Sequence, residues 1–469
     1  MQTQADHKRF GRDHPWAVML VVGAATLFSA MAGSSINLAL PRIRVEFDAS
    51  LDLVGWVILV FLLTINVVLL VAGRIGDMLG HRRIWNAGFV LFGLSSLACG
   101  LAPGIVTLLI ARVAQGAAGA MAMAAGPALL TTTVPGSQRG RALGIVSTGT
   151  YIGLTVGPPI GGWLIDAFSW RAIFLLNVPV AILVLVLGWL YLPKKPGRGW
   201  TSFDLPGALL LLFGLPPLLL AIAQGRSWGW TAPATVICAL VGLALLALFV
   251  RVEWTAERPL LNLRLFRSPV FAGATFSAFA NYVALFVPIF LLPFYLLDGL
   301  HIAPDRAGIV LAAQSLLMAL VAAPSGWLSD RIGTRGLAAG GLLILAVGLA
   351  GLASVEGDAA AWQVMIWWAV TGFGTGVFIS PNSSALMGQA PQTQQGVASG
   401  VMAVARNSGM MLGVAMATVI FQSAGGQTGQ QWRVADFDAF RTALLVAAAV
   451  GLAGAAASVV RGSSKADIG

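Results

Sequence analysis

Charge is what this sequence has least of. Of its 469 residues, Asp, Glu, Lys and Arg together make up 10%, against 58% that are hydrophobic. A water-soluble domain carries about 25% charged residues and about 45–50% apolar ones. Too few polar side chains remain to cover a globule of this size, which excludes a cytosolic enzyme, a soluble nucleic-acid module and a disordered chain. Cysteine is equally scarce. Cys99 and Cys238 both fall inside apolar runs, so no disulfide framework is indicated. The four histidines never stand at ligand spacing, and neither a metal nor an organic cofactor is expected. A net charge of +10 does not point to nucleic acid, because the basic residues are scattered between apolar runs instead of gathering on one face.

Long apolar runs take the place of charge. A bilayer core about 30 Å thick needs about 20 apolar residues per helix. Such runs occur at 16–40, 53–72, 84–102, 105–130, 142–165, 172–192, 205–223, 234–251, 270–297, 308–328, 337–355, 361–387, 397–421 and 440–460. The fold class expected is an all-α polytopic membrane protein with fourteen transmembrane helices. Ala30-Met31-Ala32 resembles a signal-peptide cleavage site, but the apolar run continues to Pro41 and is read as a retained helix. With the N-terminus inside, nineteen Lys and Arg fall in cytoplasmic segments and seven in external loops, as the positive-inside bias requires. Both termini are therefore expected on the cytoplasmic side of the cell (inner or plasma) membrane. Two arginines, Arg112 and Arg406, fall within spans, whereas all eighteen acidic residues fall in loops or at helix ends.

Several short motifs organise these spans. Gly73-Arg74-Ile75-Gly76-Asp77-Met78-Leu79-Gly80-His81-Arg82-Arg83 follows the second run, and Gly326-Trp327-Leu328-Ser329-Asp330-Arg331-Ile332-Gly333 follows the tenth. Both are read as tight cytoplasmic connections: glycine allows close approach, and Asp accepts from helix N–H groups or arginine. The matched spacing marks two homologous halves. Arg112 with Gln115 and Gly116 share one face of the fourth helix. Gly153, Gly157, Gly161 and Gly162, with Pro158, form a small-residue stripe on the fifth.

Together these residues resemble the major facilitator superfamily. The Asp77 loop is similar to its signature between helices 2 and 3, Arg112–Gly116 to a second motif, and Gly153–Gly162 to the motif of its antiporters. Trp170-Arg171 leading to Asn177-Val178-Pro179, Arg258–Arg267, and Gly396-Val397-Ala398-Ser399-Gly400 with Arg406-Asn407 resemble its fourteen-helix drug:proton antiporters. The resemblance implies two six-helix bundles related by a pseudo-twofold, at 1–192 and 253–469, with a linker and two extra central helices at 193–252. It implies a monomeric secondary exporter of amphiphilic small molecules, with the lipid bilayer and protons as its other partners and the proton gradient as energy source. Asn37, Asn66, Asn281, Tyr282, Gln314 and Asn382 would then line or flank the central cavity, with Arg112, Gln115, Arg406 and Met410. Gly73, Asp77, Gly80, Arg82, Arg83, Asp330 and Arg331 would form a conformational latch.

One departure stands out. Relatives carry an Asp, associated with proton coupling, five residues before the Asn of Asn-x-Ala-Leu-Pro; here that position is Ala32. Weakly coupled or uncoupled transport of a lipid or secreted metabolite is the alternative. A primary pump is excluded, since no lysine is preceded by glycine as a phosphate loop requires. No His-Glu-x-x-His or Gly-x-Ser-x-Gly motif suggests an enzyme. A channel or nontransporting receptor is disfavoured by the repeated loops.

Overall fold

In lipid a backbone must satisfy its own hydrogen bonds, so a chain this apolar folds as helices. The computed structural model describes residues 15–134, 138–194, 205–255, 263–355, 357, 359–390, 395–427 and 432–462. Among them there is no strand. The long helices are α1 (Pro15–Glu46), α2 (Leu51–Leu79), α3 (His81–Gly100), α4 (Ile105–Thr133), α5 (Arg139–Ala167), α6 (Arg171–Tyr191) and α7 (Leu205–Trp228). They continue as α8 (Pro233–Thr255), α9 (Pro269–Phe294), α10 (Pro304–Ile332), α11 (Thr334–Ala353), α12 (Ala361–Gly388), α13 (Gln395–Ser423) and α14 (Val434–Val460). Eleven are long and apolar enough to cross a membrane. The other three are α3 and α5, which open on basic residues, and α7, apolar over Leu212–Ile222.

The helices overrun the apolar runs, and this corrects the reading of the two Asp motifs. Gly73 to Leu79 belong to the last turns of α2, and Gly326 to Ile332 to those of α10. The connections shrink to single residues, Gly80 and Gly333, with φ of 99° and 88°. A side chain is strained there, so only glycine reverses the chain this tightly. Gly80→Ala and Gly333→Ala are each expected to cost about 1–3 kcal/mol. Additive losses of melting temperature in the double variant would check this, since each site has its own bundle.

Packing repeats between the halves. In the first, α1 packs on α5, α2 on α4, and α3 on α4 and α6; in the second, α9 packs on α13, α10 on α12, and α11 on α12 and α14. Glycines set both central pairs. A Cβ at Gly153 would lie 2.2 Å from the Leu27 carbonyl of α1, and at Gly157 2.8 Å from that of Met31. A Cβ at Gly409 would lie 2.6 Å from the Phe279 carbonyl of α9, and at Gly413 2.7 Å from that of Val283. The α13 glycines thus repeat the α5 stripe, 256 residues later. Helices α7 and α8 pack on each other, and α7 also touches α2 and α13.

The ends of the helices are tied in register. Call the face where α1 begins and α14 ends the terminal face, and the opposite one the distal face. At the terminal face Arg82 of α3 donates to the Trp189 carbonyl of α6 at 2.6 Å. The second half makes the corresponding α11–α14 tie with a different residue. Arg461, expected as a loop charge, is buried after α14 and donates to Asn382 Oδ1 at 2.8 Å and the Thr334 carbonyl at 3.3 Å. At the distal face, Arg171 pairs with Glu46, and Trp170 Nε1 donates to the same carboxylate at 2.5 Å.

Candidate functional site

The two halves meet along two seams. On one, α5 lies against α10. Prolines 158 and 159 have no N–H, so the carbonyls four residues earlier lose their helical donors. Ser315 of α10 supplies one replacement, its hydroxyl shared between the Leu154 carbonyl and the Ala312 carbonyl of its own helix, each at 3.1 Å. Nearer the distal face the backbones touch: a Cβ at Gly162 would lie 2.2 Å from the Pro304 carbonyl, and one at Gly308 2.3 Å from that of Pro158. Gly162 and Pro158 therefore face the other half, while Gly153, Gly157 and Gly161 face α1 within their own. Removing the hydroxyl in Ser315→Ala leaves the Leu154 carbonyl without its partner and is expected to weaken the seam by about 1–3 kcal/mol. Spin-label distances between α5 and α10 would lengthen or broaden; an unchanged distribution contradicts this.

On the other seam, α2 meets α13 more loosely. Asn66 Nδ2 donates to Met411 Sδ at 3.1 Å, while Asn66 Oδ1 is buried without a protein partner. A thioether is a weak acceptor, so this cross-half contact is easier to break than Ser315 to Leu154.

Between the seams lie the residues of greatest interest. Tyr282 is at the middle of α9 and Arg406 close to the middle of α13, and the two side chains hydrogen-bond. Tyr151 of α5 interacts electrostatically with Tyr282, which carries the cluster across from one half to the other. Arg406, Tyr151, Tyr282, Met402 and Met410 are all half-buried. Sequence reasoning missed Tyr151; its position two residues before Gly153 was the available signal. Ser315 was missed as well, because a single serine carries no pattern.

The other expected residues are dispersed. Arg112 is buried between α2, α3 and α4: its Nε donates to the Val57 carbonyl at 2.9 Å, its Nη1 to Gln115 Oε1 at 2.6 Å, and its guanidinium lies 4.1 Å from the Phe61 ring centroid. Gln115 Nε2 continues to Ser96 Oγ at 2.8 Å. Asn382 donates to the Ala274 carbonyl at 2.9 Å and accepts from Arg461, which makes it a joint of α9, α12 and α14. Gln314 is buried, with its backbone carbonyl facing Gly372 of α12. Asn281 is fully buried and neither amide atom has a protein partner. Asn37 is half-buried and donates to the Ser34 carbonyl of its own helix at 3.4 Å.

In the Asp77 motif, the carboxylate meets His81 Nε2 at 3.2 Å and Arg74 Nη1 at 4.0 Å, both along its own chain. His81 was not among the expected latch residues. Arg83 makes a backbone bond to Gly80, and in the second copy Arg331 stacks 3.9 Å from the Trp327 ring while Asp330 is exposed. The stretch 256–262, which holds the first half of the Arg258–Arg267 motif, and the linker residues 195–204 lie outside the described residues.

This arrangement of two packed repeats around a central polar cluster has a family. The sequence matches the description "Major Facilitator Superfamily" over residues 22–279 and 274–466. The chain belongs to that superfamily. It is 31% identical to the riboflavin transporter RibZ of Clostridioides difficile (strain 630), over 87% of this chain and 88% of that protein. It is 32% identical to the multidrug resistance protein Stp of Mycobacterium tuberculosis (strain CDC 1551 / Oshkosh), over 81% of this chain and 71% of that one. A solved structure of the peptide transporter POT in complex with sulfate superposes with TM-score 0.69 at 14% identity, over 93% of each chain. The chain is therefore an integral membrane transporter protein of this fold.

Proposed function

We propose that this superfamily member is a secondary exporter of hydrophobic or amphiphilic small molecules, working by alternating access. The observation that carries this reading is the distal seam: the halves are interlocked at Gly162, Pro158, Gly308 and Pro304, on the far side of the cluster from the chain ends. The 19:7 distribution of basic residues supports an orientation with the chain ends in the cytoplasm. The conformation is then one closed to the outside, ready to receive substrate from within. The names of the relatives, a multidrug resistance protein and a riboflavin transporter, suit a site for extended aromatic amphiphiles. The half-buried Met402 and Met410 on the helix that carries Arg406 suit the same class.

Proton antiport is the energy source we favour, carried by a group other than residue 32. The reading with weak or no coupling has an observation of its own: among the described residues, no carboxylate lies in the middle third of any helix. Reconstitution with an imposed pH gradient tests both. Wild-type protein is expected to move an amphiphile faster when the gradient is present. If wild type ignores the gradient and Ala32→Asp responds to it, the uncoupled reading holds. If neither moves any amphiphile from a broad panel, export itself is wrong.

A further inference from the structure

Among the described residues, Arg406 is the only charged one in the middle third of any of the long helices. It stands three residues from the midpoint of α13, about 4.5 Å along the axis. Its neighbours are neutral: the Tyr282 hydroxyl, and Asn407 Oδ1 at 3.5 Å. Among the described residues no carboxylate comes within ion-pair distance of it. Every described acidic residue lies in a loop or within five residues of a helix end. A half-buried guanidinium at this depth keeps donors that no protein anion takes up.

From this charge placement we infer that the transported molecule is an anionic amphiphile, an apolar or aromatic body bearing a carboxylate, sulfonate or phenolate, whose anion pairs with Arg406. This rests on the export reading above and narrows its substrate class. The planar guanidinium offers a carboxylate two parallel N–H donors, and Tyr282 adds a hydroxyl beside it, with Tyr151 interacting in turn with Tyr282. Met402 and Met410 on the same face of α13 give the apolar body a soft, adaptable wall. A lipophilic cation would meet like charge with no carboxylate nearby to offset it, so the site selects against cations as well as for anions.

Three pyrene amphiphiles differing only in head group, as butyl carboxylate, carboxamide and trimethylammonium, provide the test. Binding is measured to purified protein, and counterflow to proteoliposomes. The carboxylate is expected to bind about tenfold more tightly than the carboxamide, with the ammonium weakest. Arg406→Gln should remove that preference, and a detergent thermal-shift melting temperature close to that of wild type shows that the variant is folded. Arg406→Lys should keep the preference in part, since it retains charge and loses the fork. Equal binding of carboxylate and carboxamide by wild type, or an undiminished preference in Arg406→Gln, overturns the inference. Counterflow of the ammonium or carboxamide in that case would leave export standing. Selective carboxylate binding with no counterflow of any probe would support the anion site and overturn export.

Discussion

Gly308→Ala is expected to reduce transport at least tenfold with only a modest loss of stability. The added methyl would lie 2.3 Å from the Pro158 carbonyl, which belongs to the backbone of α5 and cannot rotate away. The helices must separate. Overpacking of this kind costs about 1–3 kcal/mol. It falls on the closed distal seam alone, because in a state where α5 and α10 have parted the methyl meets nothing. A bias of about 2 kcal/mol against one state shifts a two-state equilibrium roughly thirtyfold. Gly162→Ala, 2.2 Å from the Pro304 carbonyl, should do the same, and the pair should be less than additive because one methyl already parts the helices. Gly340→Ala is the control, since its Cβ would meet nothing within 4 Å. Spin-label distances across the distal ends of α5 and α10 give the readout. Wild-type transport with unchanged distances would refute the role given to this seam.

Arg112→Ala is expected to have the largest effect on stability, about 3–5 kcal/mol. Three losses combine. The Gln115 carbonyl oxygen loses its 2.6 Å donor, which costs about 1–3 kcal/mol; the contact over Phe61 disappears, worth about 2 when desolvated; and the stem leaves a void. The high cost of placing arginine in a membrane does not offset this. It is paid largely in the inserted, unassembled helix too, and the assembled fold relieves it by supplying the Val57 carbonyl, Gln115 and the ring. Arg112→Met should recover the void but not the hydrogen bond, and melt in between. Equal melting temperatures for wild type and Arg112→Ala in a detergent thermal-shift assay would show that the node contributes nothing to assembly.

The two arginines show how far sequence reaches. Both were legible as costly charges within spans, because composition and run length alone define where a span is. The sequence could not separate their roles. Arg112 is folded into a node of α2, α3 and α4 with buried neutral partners, while Arg406 stays half-buried with the methionines of its own helix and a tyrosine pair drawn from both halves. The partners that decide this come from helices tens or hundreds of residues away. No periodicity within one helix encodes which neighbour arrives.

The glycine stripe of α5 divides in the same way. Its existence, and its meaning as close helix packing, follow from spacing, since Gly153, Gly157 and Gly161 recur every four residues on one face. That Gly162 and Pro158 point instead at α10, and so belong to the seam between halves, depends on how the second bundle is laid against the first. The Asp77 motif shows the converse limit. Its residues were recognisable, but the tendency of helices to run on past their apolar core made it a helix end closed by one left-handed glycine. Local chemistry thus determined a membrane-embedded, helical, internally repeated chain, because the bilayer imposes length, apolarity and internal hydrogen bonding on each span separately. Tertiary structure alone decided which charge faces the centre and which seam is closed, because those depend on the few contacts made between spans.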